Sequence, residues 1–284
     1  MVVKDRVEFF YLGPPKSAST WTYFCLADHP EINASSRGEP CFFDQHFHEG
    51  LSWFDGLYDA GHDGVRMDCT PGYIYNINAL ERIKNYNPDA RLAFALRHPV
   101  ERTFSAYWHV RKRRDVVWTL DEVFDNHAAW RLWVDSSMIS AGVEYLLANF
   151  PRENIHFFMF DDLKAQGLET VQNLYRFIGV DDGFVPPSLT KRINVAAPRP
   201  TLQHKVRHKL AGVLMGDKLH QRDAQFNGFE RWLSGKGEYL EGMKPELRAA
   251  LLQAFLPEID KLERLLNVDL SHWRGHNDAE KTGA

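Results

Sequence analysis

The sequence predicts an α/β fold, a parallel sheet flanked by helices, and two observations carry this. Short apolar runs alternate with stretches of helical spacing along most of the chain. Two of those runs, Phe9-Phe10-Tyr11-Leu12 and Leu92-Ala93-Phe94-Ala95-Leu96, each pass through a tight polar loop into a helix start. Ligands of parallel sheets bind beyond the carboxyl ends of the strands. Those two junctions are therefore where function is expected.

The elements follow in order. Residues 7–12 read as a central strand and 20–28 as a helix, ended by His29-Pro30 because the residue before proline leaves the helical region. Residues 34–64 are irregular and rich in aromatics, with short helical pieces, and 65–67 form a second strand. Ile77, Leu80, Ile83 and Lys84 give helical spacing over 76–86. A third strand covers 92–96 and a helix 100–113, with Pro99 at the first helical position, where its missing N–H costs nothing. Residues 120–149 read as two helices, 155–160 as a fourth strand, and 168–178 as a helix stopped at Gly179. Residues 186–200 are a loop and 201–214 helical; 245–267 form a long amphipathic helix that Pro257 should kink or split. The last ten residues are polar and are expected to fray. No internal repeat or low-complexity tract interrupts the chain. One domain over 1–284 is expected, with a nucleotide-binding core at about 7–180 and a basic loop and C-terminal helices at about 183–273.

Composition narrows the class. At 44% hydrophobic and 25% charged residues, the chain reads as soluble and globular. A net charge of −4 argues against a nucleic-acid binder, while leaving room for a local basic cleft. The cysteines, Cys25, Cys41 and Cys69, form no C-x-x-C pair and no disulfide framework, so reduced thiols are expected. Cys41, His46 and His48 match no common metal spacing, and no metal is expected. The N-terminus has no signal pattern, and no run approaches the ~18 apolar residues of a membrane span. These features together point to a cytoplasmic location.

The first junction continues Gly13-Pro14-Pro15-Lys16-Ser17-Ala18-Ser19-Thr20-Trp21. A helix start offers free backbone N–H groups and the positive end of the helix dipole. Lys16 adds a charge, and Ser17, Ser19 and Thr20 add donors, so the loop reads as a phosphate site. It is not a Walker loop, which needs glycine before the lysine and Ser or Thr after it; here Pro15 precedes Lys16. The second junction reads Arg97-His98-Pro99-Val100-Glu101-Arg102-Thr103-Phe104-Ser105-Ala106-Tyr107, with Arg97 at the strand end and Ser105 two turns into the helix.

The first loop resembles the P-K-S-G-T-T-W loop of PAPS-dependent sulfotransferases, with Ala18 in place of the glycine. The second resembles their R-x-P-x-x-R-x-x-S-x-Y, matched at Arg97, Pro99, Arg102, Ser105 and Tyr107. Glu39-Pro40-Cys41-Phe42-Phe43-Asp44 is similar to the E-x-H-F-F-D of the heparan-sulfate branch, and Asp68-Cys69-Thr70-Pro71-Gly72-Tyr73 to its E-K-T-P-x-Y. Phe150-Pro151-Arg152-Glu153-Asn154-Ile155 and Asp161-Asp162-Leu163 resemble its F-P-R-E-Q-I and E-D-L. The likeness covers roughly 7–199, is weaker through the basic segment beyond and faint again near 256–273. It implies the P-loop-like sulfotransferase fold and, with no anchor in the sequence, a free relative of the Golgi-anchored animal enzymes.

The resemblance also implies roles. PAPS (3′-phosphoadenosine 5′-phosphosulfate) is the implied co-substrate. It is bound by Lys16, Ser17, Ala18, Ser19, Thr20 and Trp21 at the 5′ side and by Arg97 and Ser105 at the 3′-phosphate. Arginine suits that task because its planar fork binds phosphate bidentately. Lys16 is the expected catalytic cation on the leaving group. Glu39 is the expected general base, with packing beside Phe42 and Phe43 to raise its basicity; His46 and His48 are rivals. Asp68, His46 and Tyr73 are expected at the acceptor, with Trp53, Tyr75, Trp108 and Trp118 as further lining. Cys41 and Cys69 stand where the branch has His and Lys, and read as structural thiols rather than nucleophiles.

From 183 to 216 the chain has no acidic residue. Lys191, Arg192 and Arg199 are candidates to close over the nucleotide; alternatively, residues 191–209 dock an acidic partner or form a solvated face. The leading reading is sulfuryl transfer to a hydroxyl of a carbohydrate or small metabolite. A polyketide, lipid or peptide natural product is the alternative acceptor. A P-loop kinase, or a nucleotide-binding protein without catalysis, remains as a further alternative.

Overall fold

A computed structural model describes residues 6–113, 118–190 and 243–275. The strands are β1 (Phe9–Tyr11), β2 (Ile32–Ala34), β3 (Val65–Asp68), β4 (Arg91–Leu96) and β5 (Ile155–Met159). They form one parallel sheet in the order β2-β3-β1-β4-β5. The helices are α1 (Ser19–Ala27), α2 (Leu51–Asp55), α3 (Ile77–Tyr86), α4 (Pro99–Arg113), α5 (His127–Trp133), α6 (Ser140–Asn149), α7 (Phe160–Ala165), α8 (Gly167–Ile178) and α9 (Pro245–Leu266).

Alternation along the strands divides the core in two. Phe10, Leu12, Leu92, Phe94 and Leu96 face the larger cluster, with residues of α3, α4, α6 and α9. Phe9, Tyr11, Met67, Ala93 and Ala95 face the smaller one, with residues of α1 and α8. Helices therefore cover both faces, as the near-continuous apolar strands require. The strand order reverses about β1: β2 and β3 lie to one side and β4 and β5 to the other. That switch point is where such sheets open a crevice.

Several expectations are corrected. No strand was expected at β2, which falls between the helix ended by His29-Pro30 and the irregular stretch that begins at 34. The fourth strand ends one residue early, since Phe160, read as its last residue, opens α7. The region read as two helices holds α5 and α6 plus single turns at Leu120–Phe124 and Asp135–Ser137. Pro257 does not split α9, which runs unbroken through it. Pro257 and Gln253 are both exposed, so the carbonyl left without its helical partner faces water. On the opposite face Leu251, Phe255, Ile259 and Leu262 pack into the core on both sides of the proline. Buried Glu258 adds a lock, accepting from the amides of Ile139 (2.6 Å) and Ser140 (2.7 Å) at the start of α6. The expected helix at 201–214 and the expected fraying at the C-terminus lie outside the described residues.

Candidate active site

The loop after β1 is shaped by its neighbours. Gly13 has φ 111°, and a Cβ there would stand 1.9 Å from the Pro71 carbonyl oxygen, so the loop crosses the end of β3 at backbone contact. Three successive carbonyls are then tied back into the protein. Arg102 donates to Pro15 O (3.4 Å), Arg97 donates to Lys16 O, and Tyr11 Oη donates to Ser17 O (3.0 Å). Pulling the carbonyls inward turns the N–H side of the loop outward. Ala18 then enters α1 through a left-handed conformation (φ 64°, ψ 16°), with no side chain capping the first turn. The result is a cradle of donors at a helix N-terminus.

Arg97 leaves β4 at the same edge. Its guanidinium lies 4.2 Å over the Phe160 ring, and burial lowers its pKa to about 10, which keeps it cationic at neutral pH. Arg97 Nε and Ser17 Oγ are buried polar atoms without a partner. Two orphaned donors beside a helix N-terminus fit an anionic group, and a phosphate in particular. Lys16 Nζ lies 3.2 Å from His109 Nδ1, and an ammonium has only donors, so the ring nitrogen is the acceptor of this contact. Ser105 is half-buried on the same face of α4, one turn before His109. Trp21 Nε1 donates to Leu189 O (3.2 Å).

Arg102, the second arginine of that stretch, is buried. Besides Pro15 it donates to Ser137 Oγ (2.6 Å), Ser136 Oγ (2.7 Å) and Trp133 O (2.8 Å), tying the loop to the chain after α5. His109 and the scaffolding role of Arg102 escaped the sequence reading. The helical offset of His109 from Ser105 was the available signal.

The acidic side lies after β2 and β3. Glu39 is exposed, so the expected packing beside Phe42 and Phe43 is absent; both rings are buried in the core instead. The charge of Glu39 nevertheless bears on Cys41, Asp68 and Cys69. Cys69 Sγ in turn lies 3.8 Å from Ser19 O, which brings this cluster against the start of α1, where the loop after β1 ends.

Asp68 and Tyr73 are fully buried, which corrects their expected contact with an acceptor. Thr70 Oγ1 donates to Asp68 Oδ1 (2.7 Å) and Tyr73 Oη donates to Oδ2 (3.0 Å). Burial raises Asp68 to a pKa of about 7 despite those bonds. Burial, with help from Asp44, Glu39 and Asp68, pushes Cys41 up to about 12, and Cys69 is raised well above the ordinary thiol range. Both thiols stay protonated at neutral pH, which suits structural residues.

His46 stands apart from this network. It is half-buried, takes an Arg37 Nη2 contact at 3.2 Å and packs on Trp53. His48 is exposed beside Glu49. Trp53, Tyr75, Trp108 and Trp118 pack against the larger core rather than standing free. Lys191, Arg192, Arg199 and the rest of 191–209 lie outside the described residues. Among the described residues no group of three His, Cys, Asp or Glu could hold a metal ion.

Comparison with known proteins bears on this arrangement. Residues 61–183 match the model of the sulfotransferase family. Human heparan sulfate glucosamine 3-O-sulfotransferase 3B1 is 28% identical over 184 residues, 62% of this chain and 47% of that relative. The chain thus spans about half the length of the curated relatives it matches. A membrane-associated sulfotransferase of Dictyostelium discoideum, kil1, is 31% identical over 103 residues, 35% of this chain and 22% of its own. A sulfotransferase crystal structure from Alicyclobacillus acidocaldarius superposes with TM-score 0.70 at 22% identity, covering 95% of this chain and 99% of that one, so the fold is shared.

These relatives overturn the expected cytoplasmic location, since a membrane-associated protein is among them. No helix among the described residues is long and apolar enough to cross a membrane. The parallel sheet thus shares its fold with a sulfotransferase crystal structure, and residues 61–183 within it resemble the sulfotransferase family.

Proposed function

We propose that the chain moves the sulfuryl group of PAPS to a hydroxyl of a carbohydrate or small-metabolite acceptor, leaving adenosine 3′,5′-bisphosphate. One observation carries the reading: a loop with its carbonyls tied back meets Arg97, with Ser17 Oγ and Arg97 Nε buried and unmatched. In this reading Ser17, Ala18, Ser19, Thr20 and Trp21 hold the 5′-phosphosulfate through backbone and hydroxyl donors. Arg97 and Ser105 hold the 3′-phosphate. Lys16, oriented by His109, stabilises charge on the departing phosphate. Glu39, exposed at the same edge, takes the acceptor proton. No metal is part of this mechanism, because a sulfuryl group carries less negative charge than a phosphoryl group. The carbohydrate class rests on the heparan sulfate relatives. A basic cover from Lys191, Arg192 and Arg199, and an acidic partner for 191–209, stay part of this proposal.

Nucleotide-dependent thermal stabilisation tests it. Adenosine 3′,5′-bisphosphate is compared with AMP and with ATP plus magnesium. At about 100 times its dissociation constant the bisphosphate should add about 2.7 kcal/mol. Arg97→Ala removes charge-assisted bonds worth about 1.5–3 kcal/mol, so it should weaken binding by about 10- to 100-fold. Stabilisation by ATP with magnesium, and none by the bisphosphate, would instead point to phosphoryl transfer.

A further inference from the structure

We infer that Asp68 is a positioning residue for the candidate base: acting through Thr70 and Tyr73, it fixes the backbone that carries Glu39. The inference rests on the proposed role of Glu39. The observation behind it is a bracket with two arms. On one arm the Cys41 amide donates to Thr70 Oγ1 (3.1 Å), and Thr70 Oγ1 donates to Asp68 Oδ1 (2.7 Å). On the other the Phe43 amide donates to Tyr73 Oη (3.1 Å), and Tyr73 Oη donates to Asp68 Oδ2 (3.0 Å).

Each hydroxyl proton is directed at the carboxylate, which leaves each hydroxyl oxygen free to accept an amide. A single buried carboxylate thus sets the polarity of both arms. The geometry they hold is not a relaxed one. Cys41 sits at φ 52°, a left-handed conformation unusual for a residue with a side chain, and opens directly into a single wide π-helical turn at Phe42–His46. Phe43 is fully buried and its ring packs edge-on against Tyr73 at 5.9 Å, so the second arm also has an apolar anchor. Pro40, with its fixed φ, alone separates Glu39 from the bracketed Cys41. An exposed carboxylate is ordinarily mobile; here its backbone is held from the buried end of β3. This also assigns work to Asp68 and Tyr73 that their burial denies them at the acceptor.

Amide hydrogen exchange on the full chain tests the bracket arm by arm. Thr70→Val should speed exchange at Cys41 by about 10-fold and leave Phe43 unchanged; Tyr73→Phe should do the reverse. Thr70→Ser keeps the hydroxyl and should restore Cys41 protection. Asp68→Asn replaces one acceptor oxygen by a donor and should release one arm only, a milder variant than truncation. Thermal stabilisation by adenosine 3′,5′-bisphosphate should persist in all four, while bisphosphate release from PAPS with a heparan sulfate oligosaccharide should slow in Thr70→Val and recover in Thr70→Ser. Unchanged exchange at both amides, or equal release everywhere, overturns the inference. Absence of bisphosphate stabilisation in the unaltered protein sinks the sulfotransferase reading instead, and the exchange pattern still decides whether the bracket exists.

Discussion

Along the carboxyl edge of the sheet, the loop after β1 has its carbonyls held, whereas the segment after β2 has its amides held. In the first, Arg102, Arg97 and Tyr11 take the oxygens of Pro15, Lys16 and Ser17. In the second, the hydroxyls of Thr70 and Tyr73 take the N–H groups of Cys41 and Phe43. Under the proposed function, the difference follows from what each side has to meet. An anion needs N–H groups left available, so the competing oxygens are withdrawn. A carboxylate that accepts a proton is weakened by N–H groups aimed at it, so those are occupied elsewhere. The same backbone serves opposite charges because the surrounding side chains choose which of its two polar groups remains accessible.

The largest expected effect breaks the first side. Gly13→Ala places a methyl group 1.9 Å from the Pro71 carbonyl oxygen, at φ 111°, where a side chain is strained even without the clash. Neither the loop nor the end of β3 can give way without disturbing the other. A loss of about 3–5 kcal/mol is expected in denaturant unfolding, together with loss of bisphosphate stabilisation. Wild-type stability in this variant would mean that the loop does not cross Pro71 as described.

The second effect sharpens the comparison through pH. Asp68 has a folded pKa of about 7 against an ordinary value of about 3.9 when unfolded. Desolvation is the main cause; the hydroxyls of Thr70 and Tyr73 oppose it, and Asp44 and Glu39 add to it. Tyr58, Cys41 and Cys69 also feel this carboxyl. A raised pKa means that the fold favours the protonated form. Its contribution is fully present below about pH 4 and is lost as pH rises through about 7, on the order of 2–4 kcal/mol across the window. Asp68→Asn cannot titrate, so its stability should be flatter between those limits. Parallel slopes in the two proteins would show that Asp68 does not hold this proton.

The two sides also differ in how far the sequence exposed them. The loop after β1 and Arg97 lie within contiguous stretches at strand ends, and both sit at the expected edge. The bracket does not lie in one stretch: Cys41 and Phe43 meet Thr70 and Tyr73 only because β2 and β3 are neighbours. β2 itself is three residues long, too short for its alternation to stand out. Burial was the other blind spot. Nothing in the order of residues says that Glu39 faces solvent while Asp68 does not. Pro257 misled for a related reason, since a proline breaks a helix when its orphaned carbonyl is buried, and here that carbonyl faces water.

The smallest effect runs in the opposite direction and concerns Ala18, where the resembling loops have glycine. Its left-handed conformation (φ 64°, ψ 16°) costs an L-residue about 1–2 kcal/mol relative to glycine. Ala18→Gly removes that cost but loosens the unfolded chain by about 0.4–1 kcal/mol. A net gain of about 0.5–1 kcal/mol is expected, read as a higher unfolding midpoint at unchanged denaturant slope. The loop's shape is set by Arg102, Arg97 and Tyr11 rather than by the Ala18 methyl group, so bisphosphate affinity should change little. Destabilisation would show instead that the methyl group packs against the start of α1 and that the alanine is itself part of the cradle.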